Sequence, residues 1–88
     1  MRLLEAWTIA GRTAPNRVMF GPHVTNLGQE RALSARHVAY YRRRATGGCG
    51  VIVIEEASVH DSDWPYERAP LATECGSGWG AVATAVHR

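Results

Sequence analysis

The chain has 88 residues, 45% of them hydrophobic, which is one small domain or a piece of a larger one and neither a disordered tail nor a membrane protein. Its formal net charge of +2 points to no particular partner, and its ten basic residues are all Arg. The longest apolar run, Val51 to Ile54, falls far short of the roughly 20 residues of a spanning helix. Met1-Arg2-Leu3-Leu4 begins like a signal peptide, but Glu5 interrupts the apolar core such a peptide needs, so a cytoplasmic protein is expected.

In chain order, Leu3 to Ile9 reads as extended, Ala10-Gly11-Arg12 as a turn and Thr13 to Pro15 as the returning arm of a short hairpin. Arg17 to Phe20 is a compact apolar strand. Gly21-Pro22 ends it, because proline cannot donate to a sheet ladder. Gln29 to Leu33 is polar loop. Ser34 then suits the N-cap of a helix over about residues 35–46, with Val38, Tyr41 and Ala45 on one face. Gly47-Gly48 stops that helix, since glycine accepts the left-handed conformation of a C-cap.

Gly50 to Ile54 follows, β-branched and continuous rather than alternating, the pattern of a strand buried on both faces of a parallel sheet. A polar cluster comes next (Glu55, Glu56, Ser58, His60, Asp61), then a long loop through Asp63-Trp64-Pro65-Tyr66. A last helix is predicted over about residues 77–88, with Trp79, Val82 and Val86 on one face.

Strand, helix, strand, helix, with a crossover of about thirty residues, is a βαβ unit extended by a second helix. Both strands end in polar groups at their C-terminal ends, the edge that carries the chemistry in α/β folds. Two parallel strands do not close a structure, and a (β/α)8 barrel needs about 250 residues. The expected architecture is an N-terminal β-hairpin plus the first two βα units of an incomplete (β/α)8 TIM barrel, with residues 1–88 as the N-terminal part of the barrel domain.

The stretches "LLEAWTIAGRTAPNRVMFGPHVTNL", "RHVAYYRRRATGGCGVIVIEEASVH" and "AVATAVHR" resemble, in order and spacing, the start of the old yellow enzyme family. The 2,4-dienoyl-CoA reductase-like branch is the nearest in pattern, and "EEASVH" with "DWPYERAPLA" is similar to its mycofactocin-associated oxidoreductases. The resemblance implies a (β/α)8 barrel that holds FMN non-covalently, takes hydride from NAD(P)H and reduces an activated C=C bond. It places Pro22, His23, Val24 and Thr25 against the isoalloxazine ring, with Glu56 close by. Many relatives have a small residue at that last position, so glutamate departs from the pattern. The family's proton donor, substrate-orienting residues, phosphate loop and any iron–sulfur ligands match nothing here, so no catalytic residue is assigned and an iron–sulfur cluster is left open for the parent alone.

Each candidate has a plainer reading. His23 is otherwise a solvent-facing loop histidine, and Thr25, as a flavin donor that tunes potential, is otherwise a hydroxyl satisfying a local turn. Glu55 and Glu56 look like a carboxylate pair, but adjacent strand residues point to opposite faces. His60, Asp61 and Asp63 have no metal-ligand spacing. Cys49 and Cys75 lack a CxxC pattern and read as reduced, packed thiols. Of Arg42-Arg43-Arg44, one packs against the sheet end and two are solvated, so nucleic acid is not an expected partner. Trp64, Tyr66 and Trp79 read as packing. Expected partners are a small alkene or enoyl substrate of the parent, no membrane, and either a second copy or a complementing downstream fragment. The alternative to an enzyme piece is a truncated, inactive remnant or an associating α/β fragment.

Overall fold

A computed structural model describes residues 2–87. The N-terminal hairpin pairs β1 (Trp7–Ile9) with β2 (Arg12–Ala14), antiparallel, with Thr8 opposite Thr13. Its two-residue turn, Ala10-Gly11, has φ of 49° and 79°, the doubly left-handed turn that matches the twist of paired strands. The hairpin starts at Trp7 rather than Leu3, because Leu3 to Glu5 form a turn whose Leu3 carbonyl accepts from the Arg17 N–H.

Asn16 ties this hairpin to the rest. Its carbonyl accepts the Trp7 indole N–H at 2.7 Å, its amide donates to the Gly48 carbonyl at 2.6 Å, and its Oδ1 accepts from Val18 N–H at 2.9 Å.

A second, parallel sheet pairs β3 (Met19–Phe20) with β4 (Val51–Ile52), Met19 opposite Val51 and Phe20 opposite Ile52. Both strands are shorter than their apolar runs. Among the described residues each has one partner, and the ladder fades beyond the Val53 N–H bond to the Phe20 carbonyl. Phe20 lies on the face covered by α1 (Ala35–Thr46), edge-on to Tyr40 at 6.1 Å. Met19 and Val53 share the other face, which no layer covers among the described residues, and they stay 62% and 38% exposed. Full burial of these strands, expected from their composition, is therefore not reached by the described residues alone.

Helix α1 spans the predicted residues. Ser34 caps it, and Gly48 (φ 108°) takes the turn after Gly47, where its N–H donates to the Ala45 carbonyl. Its inward stripe is built on His37 and Tyr41, both fully buried. Arg44 lies half-buried over the Tyr40 ring at 4.0 Å, while Arg42 and Arg43 are exposed. Helix α2 (Gly76–Val86) packs on α1 through Val82 and Ala85. It begins one residue earlier than predicted, and the predicted end at Arg88 lies outside the described residues.

Trp79 sits at the rim of this packing at 36% exposure, because the approach is set elsewhere. Gly78 lies so close to Leu33 that a Cβ there would come within 2.6 Å of the Leu33 Cβ. The core thus forms between α1, α2 and the loops above the sheet, with Tyr41, Ala69, Pro70, Cys75 and Val82 at its centre.

Candidate functional site

Two loops leave the C-terminal edge of the parallel sheet. The first, after β3, runs from Gly21 to the cap of α1. Its early side chains, Pro22, His23 and Val24, are exposed, and Thr25 turns inward. The second starts after β4 and runs over Glu55 and Glu56. The pleat separates these neighbours: Glu55 is 5% exposed, Glu56 faces solvent. The resemblance pointed to Glu56, and the side chain that enters the structured interior is Glu55.

Glu55 organises the site. Its Oε1 lies 2.7 Å from Thr25 Oγ1, 2.9 Å from the Tyr41 hydroxyl and 3.2 Å from His37 Nε2, and its Oε2 lies 3.3 Å from Thr25 N. Tyr41 accepts in return from Glu55 N–H at 3.0 Å. The partners come from both strand ends and one face of α1, with His37 and Tyr41 one helical turn apart. Thr25, read from sequence as a donor to flavin or to a local turn, instead spends its hydroxyl proton on a carboxylate thirty residues away.

Burial pushes the Tyr41 phenol well above its ordinary value. The Glu55 N–H bond opposes that shift, and the Glu55 carboxylate adds to it. This phenol is a fixed donor. Every polar group of the cluster meets another inside it, so the arrangement holds loops together rather than offering a reactive atom.

His37 was not singled out in the sequence. The signal was present: Ser34 and His37 stand at the N-cap and third-residue spacing of a capping box, with histidine where glutamate is usual.

The second loop is held differently. Glu30 and Arg31 are consecutive left-handed residues, φ 52° and 62°, in a tight turn closed by reciprocal backbone bonds between Gln29 and Ala32. The turn aims the Arg31 guanidinium at the carbonyls of Asp61 (2.8 Å), Asp63 and Ala69 (3.0 Å), with Cζ 3.7 Å from the centre of the Trp64 ring. Trp64 therefore stacks on a cation.

Tyr66 belongs to the same loop, its hydroxyl buried and without a partner among the described residues. Burial, then the Glu55 and Glu56 charges, push it up to about 12. The Cys75 thiol is likewise raised by burial, and both cysteines are free. His60 and Asp61 form an exposed pair at 3.3 Å. Among the described residues no group of three His, Cys, Asp or Glu is placed to hold a metal ion, and no helix is long and apolar enough to cross a membrane.

No protein-family profile and no curated protein matches the sequence. Solved structures do. The chain superimposes on 2-naphthoyl-CoA reductase in complex with 2-naphthoyl-CoA with a TM-score of 0.88 over 98% of its length, at 24% identity. It superimposes on morphinone reductase in complex with tetrahydroNAD with a TM-score of 0.82 over 97%, also at 24% identity. A variant of NCR from Zymomonas mobilis gives a TM-score of 0.80 over 99%, at 22% identity. At these identities the likeness is one of fold, and the class it defines is a mixed α/β segment with a parallel strand pair. The chain spans 14%, 23% and 29% of the lengths of those three proteins.

Proposed function

We propose that the chain is the N-terminal portion of an FMN-dependent, NAD(P)H-linked reductase of activated C=C bonds in the old yellow enzyme family, with the 2,4-dienoyl-CoA reductase-like branch, its mycofactocin-associated members included, as the finer assignment. The observation that carries it is the superposition on 2-naphthoyl-CoA reductase over 98% of this chain, which brings the quoted sequence resemblance and a reductase fold onto the same residues. Morphinone reductase, solved with tetrahydroNAD, supports a nicotinamide co-substrate.

Exposure at the sheet edge supports this reading. Pro22, His23 and Val24 are exposed beside the end of β3, and Val24 and Val53 leave 45% and 38% of their surface open for apolar contact. In this reading Pro22, His23 and Val24 form one wall for the isoalloxazine. Thr25 holds that wall in place, and Glu56 borders it from the loop after β4. Bound FMN would supply hydride uptake from NAD(P)H and its delivery to an electron-poor alkene. No catalytic residue is assigned to this chain.

A second reading applies to the 88 residues by themselves. The uncovered face carrying Met19 and Val53, together with strands that have one partner each, favours a piece with no independent activity that needs further staves from the same polypeptide or a complementing fragment. The experiment is to read the coding DNA downstream, produce the whole product and titrate it with FMN. A yellow protein with one FMN that oxidises NAD(P)H only when an enone or enoyl thioester is present is expected, with the 88-residue chain colourless beside it. A whole product that takes up no FMN overturns the assignment, and a stoichiometrically flavinated 88-residue chain overturns the dependence on further staves.

A further inference from the structure

The hydrogen bonds around Glu55 fix where every proton of the cluster lies. Begin at the helix cap. Ser34 Oγ donates to the Leu27 carbonyl at 2.7 Å, so it has no proton left for His37. Ser34 N–H donates to His37 Nδ1 at 3.0 Å. A backbone N–H cannot point at a protonated nitrogen, so Nδ1 is bare and the neutral ring carries its proton on Nε2. That N–H faces Thr25 Oγ1 and Glu55 Oε1, each at 3.2 Å. With Nε2 donating, Thr25 Oγ1 and the Tyr41 hydroxyl both donate to Oε1, and Thr25 N–H to Oε2. Four donors on two oxygens match a carboxylate, which only accepts.

From this we infer that Glu55 is a positioning residue. As an ionised acceptor it latches the main chain and side chain of Thr25 to α1, and the helix cap at Ser34 sets the proton position on His37 that completes the latch. The consequence for Pro22, His23 and Val24 follows from chain connectivity: they are presented outward because Thr25 is pulled in. Its extension to flavin rests on the reading given above, whereas the latch does not.

The two oxygens carry separable loads, which makes the latch testable. Glu55→Gln can keep its oxygen at the Oε1 position and so retain Thr25 Oγ1, Tyr41 and His37. Its amide group then faces Thr25 N–H, donor against donor. In the intact protein, 15N-histidine labelling with long-range proton–nitrogen correlation is expected to show His37 protonated on Nε2 alone. In Glu55→Gln the Thr25 amide is expected to exchange with solvent about tenfold faster or more, the scale of a lost bond to a charged group, while the amides of α1 keep their rates. Thr25→Val, which removes the hydroxyl and keeps the N–H, should leave the Thr25 amide protected. If the protein takes up FMN, Glu55→Gln should raise its dissociation constant about tenfold.

An Nδ1-protonated His37, an unchanged Thr25 amide, or uniformly faster exchange throughout α1 would each overturn the latch. Absence of FMN uptake by the wild type would overturn the functional reading and leave the first two measurements decisive for Glu55.

Discussion

The two loops above the parallel sheet are each held by one charged side chain, and the two solutions are opposite in kind. Glu55 is 5% exposed and is held by side-chain donors from Thr25, His37 and Tyr41 inside the core. Arg31 is half-buried, grips three backbone carbonyls and stacks on an indole that is itself 54% exposed. A buried charge gains most from its partners and loses most when one is removed, because the remaining groups cannot turn to water. A charge at the rim can. The first loop should therefore be part of the cooperative core, and the second a separate unit that opens on its own.

The largest effect is expected at Tyr41. Tyr41→Ala empties a fully buried site and strips Glu55 of a donor and of the acceptor for its N–H, so a loss of about 3–5 kcal/mol is expected by urea unfolding of the intact protein. Tyr41→Phe keeps the ring and removes only the hydroxyl. Its expected cost, about 1–3 kcal/mol, isolates the polar part. Equal losses in the two variants would refute the division between packing and hydrogen bonding drawn here.

Arg31→Ala should cost less, about 1–2 kcal/mol, and show it locally. Proteolytic nicking and amide exchange should rise across the loop from Val59 to Arg68 while Tyr41 and Val82 stay protected. Arg31→Lys should rescue little, since an ammonium cannot span three carbonyls and stack at once. Loss of protection in α1 as well would mean that the two loops are one unit and that the contrast fails. Gly48→Ala comes next, at roughly 1 kcal/mol, because φ of 108° is closed to a residue with a Cβ.

How much of this was open to reading differs by range of interaction. The hairpin turn, the Ser34 cap, α1 and the end of β3 at Gly21-Pro22 follow from local chemistry, and each was legible. The parallel pairing followed from the apolar run of β4 and the crossover length. The latch was hidden for two reasons. His37 occupies the place of a glutamate in a capping box, so no familiar pattern marks it, and its partners lie 12 and 18 residues away in sequence on separate strand ends. The Glu55–Glu56 pair could be split into opposite faces but not oriented, since a one-residue change of register exchanges them. Arg31 was hidden because two consecutive left-handed residues without glycine defy turn statistics, and only its distant carbonyl partners account for the conformation.

The smallest effect at neutral pH is expected at Tyr66, and it sharpens the comparison most. Tyr66 and Tyr41 both bury their hydroxyls, but Tyr41 has two partners there and Tyr66 has none among the described residues. Removing an unpaired buried hydroxyl costs little or nothing, so Tyr66→Phe should be neutral or slightly stabilising near pH 7, where Tyr41→Phe is clearly destabilising. Alkali brings the buried hydroxyl of Tyr66 into view. The Tyr66 phenol is raised from 10.0 to about 12 in the folded chain, so below pH 10 both states are protonated and its ionisation contributes nothing to the pH dependence. Between pH 10 and about 12 the unfolded phenol ionises first, and stability falls. Tyr66→Phe removes that fall, and its advantage over the wild type should grow with pH across the same window. If Tyr66→Phe instead destabilises at pH 7 as Tyr41→Phe does, the hydroxyl has a partner, and the second loop is tied into the polar interior rather than merely lying over it.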